Sequence, residues 1–413
     1  MTKTTPATAD PATPDPQMAA PPANTRSPAL PDFLTRLTLL LLAALTIMAG
    51  ATIAPALPAM TAHFSGQPNA ALLVKLTLTI VGLAIALSAP LSGVLSDRFG
   101  RRPVLIGSLM LYALGGASGL IVSSLGALLI GRVVLGLAVA GTMTAGGALI
   151  NDLFSGPARG KFLSQQAAFT SFGGAVLLPL GGLLAGVSWR APFAIYFVAL
   201  LMLPLVLRLP RGVTVSEVGG ETEGKPQWAA IGVVYALALA YMVIFYLMPA
   251  QGPFLMKFLG ASPAATGLLL GAFTLTAAIT SLTYSRFSGR FDPRVVSALG
   301  FGLVAGGWAT VSQGSTIAAV VPGLVVAGLG GGLVLPNLYT WLADITPSAW
   351  RGRVVAGMSS AVFLGQFLSP LLLTAPADHP AHGFVWGALA AVVLGAALLA
   401  FSLVGSRLRV GVA

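Results

Sequence analysis

The sequence predicts an all-α membrane protein, with twelve transmembrane helices in two pseudo-symmetric six-helix halves. Three observations predict it. First, the 413 residues are 56% hydrophobic and only 8% charged, with a mean hydropathy of +0.89. A soluble domain carries about 25% charged residues, so this chain cannot cover a water-facing surface of ordinary size. Second, twelve apolar segments are long enough to cross a bilayer, which takes about 20 residues per helix. Third, the two halves repeat one another at a constant offset of 192 residues.

Residues 1–32 are rich in Pro, Ala and Thr and cannot bury apolar surface, so they read as a disordered cytoplasmic tail. They lack the basic start, apolar run and cleavage site of a signal peptide. The N-terminal six-helix half is expected over 33–208, with spans 1 to 6 at 35–58, 71–94, 103–122, 126–150, 162–186 and 191–208. Residues 209–228 hold Arg211, Glu217, Glu221, Glu223 and Lys225 among glycines, the composition of a cytoplasmic linker. The C-terminal half is expected over 229–408, with spans 7 to 12 at 229–250, 264–285, 294–312, 316–341, 354–374 and 384–405. Helices are expected because each backbone group is then paired within its own segment. Pro55, Pro179, Pro336 and Pro370 do not argue against this, since membrane helices tolerate proline.

Basic residues give the orientation. With the N-terminus inside, eighteen Lys and Arg fall on the inner side, and only Lys75, Arg190 and Lys257 fall near the outer edge. Both termini are therefore expected in the cytoplasm. Lys75 and Lys257 are expected to snorkel outward. A net charge of +11 would suggest nucleic acid in a soluble chain; here it sets topology, and no nucleic-acid partner is expected. Abundant Arg, Ala and Gly point to a GC-rich bacterial gene, hence a multi-pass protein of the bacterial cytoplasmic (inner) membrane.

The repeat is visible in three pairs. Asp152 precedes Arg159-Gly160-Lys161 as Asp344 precedes Arg351-Gly352-Arg353. The segment DRFGRR at 97–102 matches GRFDPR at 289–294. Gly136 and Gly328 each follow Val-Val-x and precede Leu. Parallel six-span repeats, related by an axis along the membrane normal, account for this.

Between spans 2 and 3 lies GVLSDRFGRRPVL, residues 93–105. It meets every fixed position of Gly-x-Leu-x-Asp-Arg-x-Gly-Arg-Arg and so resembles the signature loop of the major facilitator superfamily of transporters. The resemblance covers about residues 33–408 and implies a conformational latch formed by Gly93, Asp97, Arg98, Gly100, Arg101, Arg102 and Asp152. Asp97 would meet the start of span 11 near Val354, across the two halves, and Arg101 would pair with Asp152. A carboxylate suits a helix N-terminus, and an arginine–carboxylate bond can bridge moving parts. The plainer alternative is that these charges only fix topology. The second copy has Gly289 in place of the acid, so the latch should be asymmetric.

Arg132 is the one ionisable residue well inside a span, which by default marks a functional site. With Gly136 it matches the family's helix 4 pattern, which the drug–proton antiporter branch associates with proton coupling. The alternative is snorkelling to the outer interface. In span 5, Leu178-Pro179-Leu180-Gly181-Gly182 resembles that branch's Gly-Pro-x-x-Gly-Gly, but lacks the first glycine and is one residue short. Packing through small residues is the alternative there.

All eleven acids fall in tails or loops, so the membrane interior has no carboxylate. A substrate cavity must then be lined by neutral groups. In this fold spans 1, 4, 7 and 10 face it, with help from 2, 5, 8 and 11, which nominates Gln165, Tyr241, Tyr246, Gln251, Asn337 and Gln366 beside Arg132, with Phe245 and Met248 as apolar contacts; interhelical bonding or plain packing is the alternative for each. His63, His379 and His382 lie outside the spans, and Asp378-His379-x-x-His382 reads either as a metal or titrating site or as an ordinary loop. With no cysteine, no Walker loop and no nucleophile–base pair, no metal, cofactor or enzymatic activity is expected. The resemblance implies a monomeric secondary transporter in the lipid bilayer, exporting small hydrophobic or amphipathic molecules in exchange for protons by alternating access. An importer or facilitator of a small metabolite is the alternative. A membrane sensor or enzyme on the same scaffold comes third.

Overall fold

The structure, a computed structural model, describes residues 31–209, 224–284, 286, 290–376 and 379–410. The expected tail, most of the 209–228 linker, Gly289 and Asp378 lie outside them.

The described chain is helical throughout and follows the twelve expected segments. Span 1 begins at Phe33, where Asp32 Oδ1 caps Thr35 N at 3.3 Å. It runs to Ala51, tightens into a 3₁₀ turn at Ala54–Ala56 around Pro55, and ends as helix Leu57–His63. Proline removes one ladder bond, and the tighter turn absorbs the loss. Span 2 is Ala70–Phe99 and span 3 is Arg101–Ala117. Only Gly100, at φ +89°, separates them. A side chain there would be strained, so a glycine is what lets two spans meet in a one-residue turn. Span 4, Leu125–Leu153, is capped by Ser124 Oγ, and span 5 is Gly156–Val187.

Span 6 departs from expectation. It is a 3₁₀ helix over Ala191–Phe197, followed by two short helices at Val198–Leu201 and Leu203–Val206. Eleven described helices are long and apolar enough to cross a membrane, and the run Ala191–Val206 is the shorter twelfth. Pro192 and Pro204 sit at helix starts, where their missing N–H costs nothing. The 3₁₀ rise of about 2.0 Å per residue lets a short segment reach further than an α-helix of equal length.

In the second half, span 7 runs Trp228–Phe245 and, after a break at Tyr246, Leu247–Phe258, longer than expected. Spans 8 to 12 are Pro263–Tyr284, Pro293–Gln313, Ile317–Asp344, Arg351–Leu372 and His382–Val410.

The internal repeat holds in three dimensions. A Cβ on Gly136 would lie 2.7 Å from Val81 O and 2.5 Å from Ala84 Cβ; one on Gly328 would lie 2.9 Å from Phe273 O and 3.0 Å from Thr276 Cβ. All three positions are shifted by the same 192 residues. Gly115 against Gly131 and Leu135 is likewise repeated by Gly307 against Gly323 and Ala327. Each half thus packs its fourth span against its second and third through the same small residues, as close approach without a hydrophobic driving force requires.

Candidate functional site

One end of the bundle carries Arg98, Arg101, Arg102, Arg351 and Arg353; it is called the basic end here, and the opposite end the far end. The halves touch towards the far end. A Cβ on Gly182 of span 5 would lie 2.6 Å from Pro263 O and 2.9 Å from Gly267 Cα of span 8. A Cβ on Gly82 of span 2 would lie 2.7 Å from Phe363 O of span 11. Lys75 Nζ lies 5.0 Å from the centre of the Phe254 ring of span 7. Along the face of span 2 that carries Gly82, cover is lost towards the basic end: Lys75, Thr79 and Gly82 are buried, while Pro90 and Asp97 are exposed.

Between the halves lies a cavity of 410 Å³. Span 1 contributes Thr46, Ile47, Gly50 and Ala51, span 2 Leu78 to Ile85, span 7 Tyr241 to Pro249, and spans 5, 8, 10 and 11 close the other walls. Its hydrogen-bonding side chains are Thr46, Tyr241, Tyr246, Thr274, Ser281, Tyr339 and Gln366, and none of its lining residues is charged. Tyr241 is already committed, donating to Gly331 O at 2.9 Å. The Tyr246 hydroxyl reaches across to span 1, where it would lie 2.8 Å from a Cβ on Gly50. The cavity therefore offers aromatic and aliphatic walls, a few neutral hydrogen-bonding groups and no fixed charge.

Tyr241, Tyr246, Gln366 and Phe245 line this cavity, as the sequence suggests. Arg132, Gln165, Gln251, Asn337 and Met248 do not. Gln165 is exposed on span 5. Gln251 is buried and donates to Pro380 O at 3.3 Å, tying span 7 to the turn before span 12. Asn337 donates to Pro293 O and Ser297 Oγ and accepts from the Tyr284 hydroxyl, joining spans 8, 9 and 10. Met248 is fully buried. The reason is one of direction: a polar residue on a span satisfies itself against whichever neighbour its face meets, and composition does not say which. Gly50, Pro249 and Gly332 line the cavity without any chemical signal in the sequence.

Arg132 does not snorkel. It is 0% exposed. Its guanidinium lies 4.6 Å from the Phe193 ring centre and 4.8 Å from that of Tyr196. Nη1 donates to the Tyr196 hydroxyl at 2.9 Å, and that hydroxyl donates to Ala49 O at 3.2 Å. Nε and Nη2 have no hydrogen-bond partner among the described residues. Tyr112 donates to Leu45 O at 2.7 Å. The arginine is thus wired through Tyr196 to the backbone of span 1 at Ala49, immediately beside Gly50, which lines the cavity. Lys75 also departs from expectation: it is 3% exposed, inside the protein rather than at a rim.

At the basic end, Arg101 Nε donates to Asp152 Oδ2 at 3.5 Å, and Nη1 to Asp97 Oδ1. Arg102 donates to Leu207 O, fixing the start of span 3 to the end of span 6. The Arg98 guanidinium stacks over Phe99. Asp97 makes no bond to span 11 among the described residues; its side chain is 74% exposed. The carbonyl of Val354 is taken by the Tyr235 hydroxyl at 2.6 Å. Gly93 has only Thr144 Cγ2 at 3.8 Å from where its Cβ would be, an ordinary contact. The pairing within the first half is in place, whereas the contact across the halves is open, as the splayed basic end requires.

Two consecutive stretches, residues 39–236 and 233–410, match the profile of the Major Facilitator Superfamily. The chain belongs to the Major Facilitator Superfamily. It is therefore a multi-pass membrane transporter, not an enzyme, and facilitator proteins work by alternating access of a central cavity between the two membrane faces. Among curated relatives, the class C tetracycline resistance protein of Escherichia coli is 27% identical over 378 residues, covering 83% of this chain and 89% of the relative. The 3-(3-hydroxy-phenyl)propionate transporter of the same species is 24% identical over 296 residues, covering 69% and 72%. Among solved structures, a D-xylose-proton symporter superposes with a TM-score of 0.73 at 19% identity, over 89% of this chain and 97% of that one. An inward-facing bacterial homologue of the human lysosomal transporter Spinster gives 0.73 at 17%, over 90% and 96%. At these identities the structures report the shared facilitator fold.

Proposed function

We propose that this facilitator exports small, neutral, hydrophobic or amphipathic molecules across the bacterial cytoplasmic membrane in exchange for protons, working as a monomer. The observation that carries the reading is the cavity, whose lining has aromatic walls, neutral polar groups and no charge. Such a site favours a molecule that is already partly lipid-soluble and has no charge to compensate. The four tetracycline resistance proteins among the relatives, matched over at least 81% of this chain, support export. In this reading the basic end faces the cytoplasm, on the positive-inside rule, and the cavity is open to it.

Uptake of a small organic metabolite is the second reading, and it has support of its own. The phenylpropionate transporter is a relative, a proton symporter shares the fold, and the carboxylates on the described spans, Asp97, Asp152 and Asp344, all stand at span ends.

Inverted membrane vesicles decide between them. Tetracycline and a panel of neutral aromatic compounds are offered with and without a proton gradient, acid inside. Uncoupler-sensitive accumulation supports export; accumulation in right-side-out vesicles instead establishes uptake. A periplasm-dependent reporter fused after Ala413 is expected to stay silent, and a strong signal would overturn the orientation.

The latch carries a further expectation. Asp97→Asn is expected to leave the protein in the membrane yet lose transport. An exposed ion pair with Arg101 is worth little to stability, about 0–1 kcal/mol. The proposed loss lies in the other state, where the carboxylate would meet the positive end of span 11. Parent-rate transport by a normally expressed Asp97→Asn protein would remove the latch.

A further inference from the structure

We propose that Lys75 is the proton-binding group of this transporter. The inference rests on the proton coupling proposed above and supplies the residue that coupling lacks. The described spans bury two basic side chains, Arg132 and Lys75. Arginine keeps its proton in every protein environment, so Arg132 can position but cannot carry. Lysine is the cation that releases a proton when its surroundings change. The acids cannot serve. Asp97 and Asp152 stand at the basic end, and Asp97 is 22 residues along span 2 from Lys75, about 33 Å at helical rise.

Lys75 also sits where the surroundings must change. It is 3% exposed, yet no carboxylate among the described residues lies within ion-pair distance. Its Nζ rests over the face of Phe254, which belongs to the other half of the molecule. One turn on, Thr79 is 1% exposed and its Oγ1 has no partner among the described residues. Ser369 of span 11, which packs against span 2, is also buried with an unpartnered Oγ. This seam therefore holds polar groups in a dry place without compensation. Leu78, three residues from Lys75, lines the cavity. The titratable groups in the far halves of the elements packed on span 2 are His63 on span 1, Tyr112 on span 3, Arg132 on span 4, and Tyr246 and Lys257 on span 7; span 11 offers none. None of these is an acid.

The seam must part when the far end opens, because Lys75 and Phe254 lie on opposite halves. Water then reaches Nζ, and the amine lone pair takes a proton from hydronium, leaving water. When the far end closes, the ammonium exchanges its hydration for an aromatic face. It then gives the proton to water at the cavity end of the seam, and the neutral amine is restored. Each cycle moves one proton from the far side to the basic side, opposite to an exported substrate.

The test uses the purified full chain in proteoliposomes, with tetracycline as substrate and a pH-sensitive dye. Lys75→Gln is expected to retain tetracycline counterflow, which needs no net proton movement, and to lose gradient-driven accumulation and substrate-dependent proton flux to the level of empty vesicles. Lys75→Arg, charged but unable to release a proton, is expected to lose both coupled readouts as well. Lys75→His is expected to restore coupled transport with its pH profile moved towards acid. Parent-level proton flux in Lys75→Gln overturns the proposal. Should the parent not carry tetracycline, the export reading fails for that compound and a substrate-free readout decides on Lys75. In protein labelled at the lysine ε-carbon, the Lys75 signal, assigned by its loss in Lys75→Arg, is expected to move with pH across the working range. A Lys75 signal that does not move overturns the proposal independently of substrate.

Discussion

Arg132→Met is expected to raise thermal stability and to abolish transport. The two effects have one origin. The guanidinium is 0% exposed and has no carboxylate partner among the described residues. Its compensation is one hydrogen bond, to Tyr196, and two aromatic faces. A charge-assisted bond contributes about 1.5–3 kcal/mol and a desolvated cation–π contact about 2 kcal/mol. Against this stand several kcal/mol for burying the charge, and about 1–3 kcal/mol for each of Nε and Nη2 left unpartnered. Replacing such a charge by an apolar side chain of similar volume is often stabilising, by about 1–4 kcal/mol. Function should run the other way, because the Arg132–Tyr196–Ala49 chain ties span 4 and span 6 to the cavity wall on span 1. A lysine at this position would keep the charge without the planar fork, so Arg132→Lys is expected to fail almost as badly. Melting curves in detergent and tetracycline flux in vesicles measure both quantities. A methionine variant that melts lower than the parent, or transports at its rate, contradicts this account.

Gly182→Val is expected to stop transport with the far end held open. A Cβ at Gly182 would meet Pro263 O at 2.6 Å and Gly267 Cα at 2.9 Å. Both are backbone atoms and cannot rotate away, unlike the flexible end of a side chain. Overpacking a close contact costs about 1–3 kcal/mol, enough to move a two-state equilibrium about 5- to 150-fold. The contact lies between the halves, so each half should still fold. The chain contains no cysteine, so Thr46→Cys in the cavity wall gives a single labelling site. An impermeant thiol reagent added from the far side should label it faster in Gly182→Val than in the parent, and slower from the basic side. Unchanged labelling from both sides would show that this glycine pair does not set far-end closure.

Much of this could be read directly from the sequence, and particular residues show why. Arg101 was legible because a charged turn between two apolar runs has few other places to go, and it does reach Asp152. Gly136 and Gly328 were legible as a repeat, though not as what they do: each lets its span approach the equivalent partner in its own half. Tyr241, Tyr246 and Gln366 were picked out by their polarity on spans expected to face a cavity, and they line it. Asn337 and Gln251 were picked out by the same signal and are consumed by interhelical bonds. Polarity within a span says that a partner is required, not which partner it is.

By itself, then, the sequence determined the environment, the number of crossings, the duplication and the loop that joins spans 2 and 3. Each of these follows from hydropathy, length or spacing along one dimension, where the bilayer imposes the rule that backbone groups be paired within each segment. Only the tertiary structure decided which face of each helix meets which neighbour. That is a matter of packing, in which small residues set how closely two helices approach and every buried polar group must find its own partner. So Arg132 and Lys75, which the sequence allowed to reach for the outer surface, are enclosed, one against Tyr196 and Phe193 within a half, the other against Phe254 across the seam that must open.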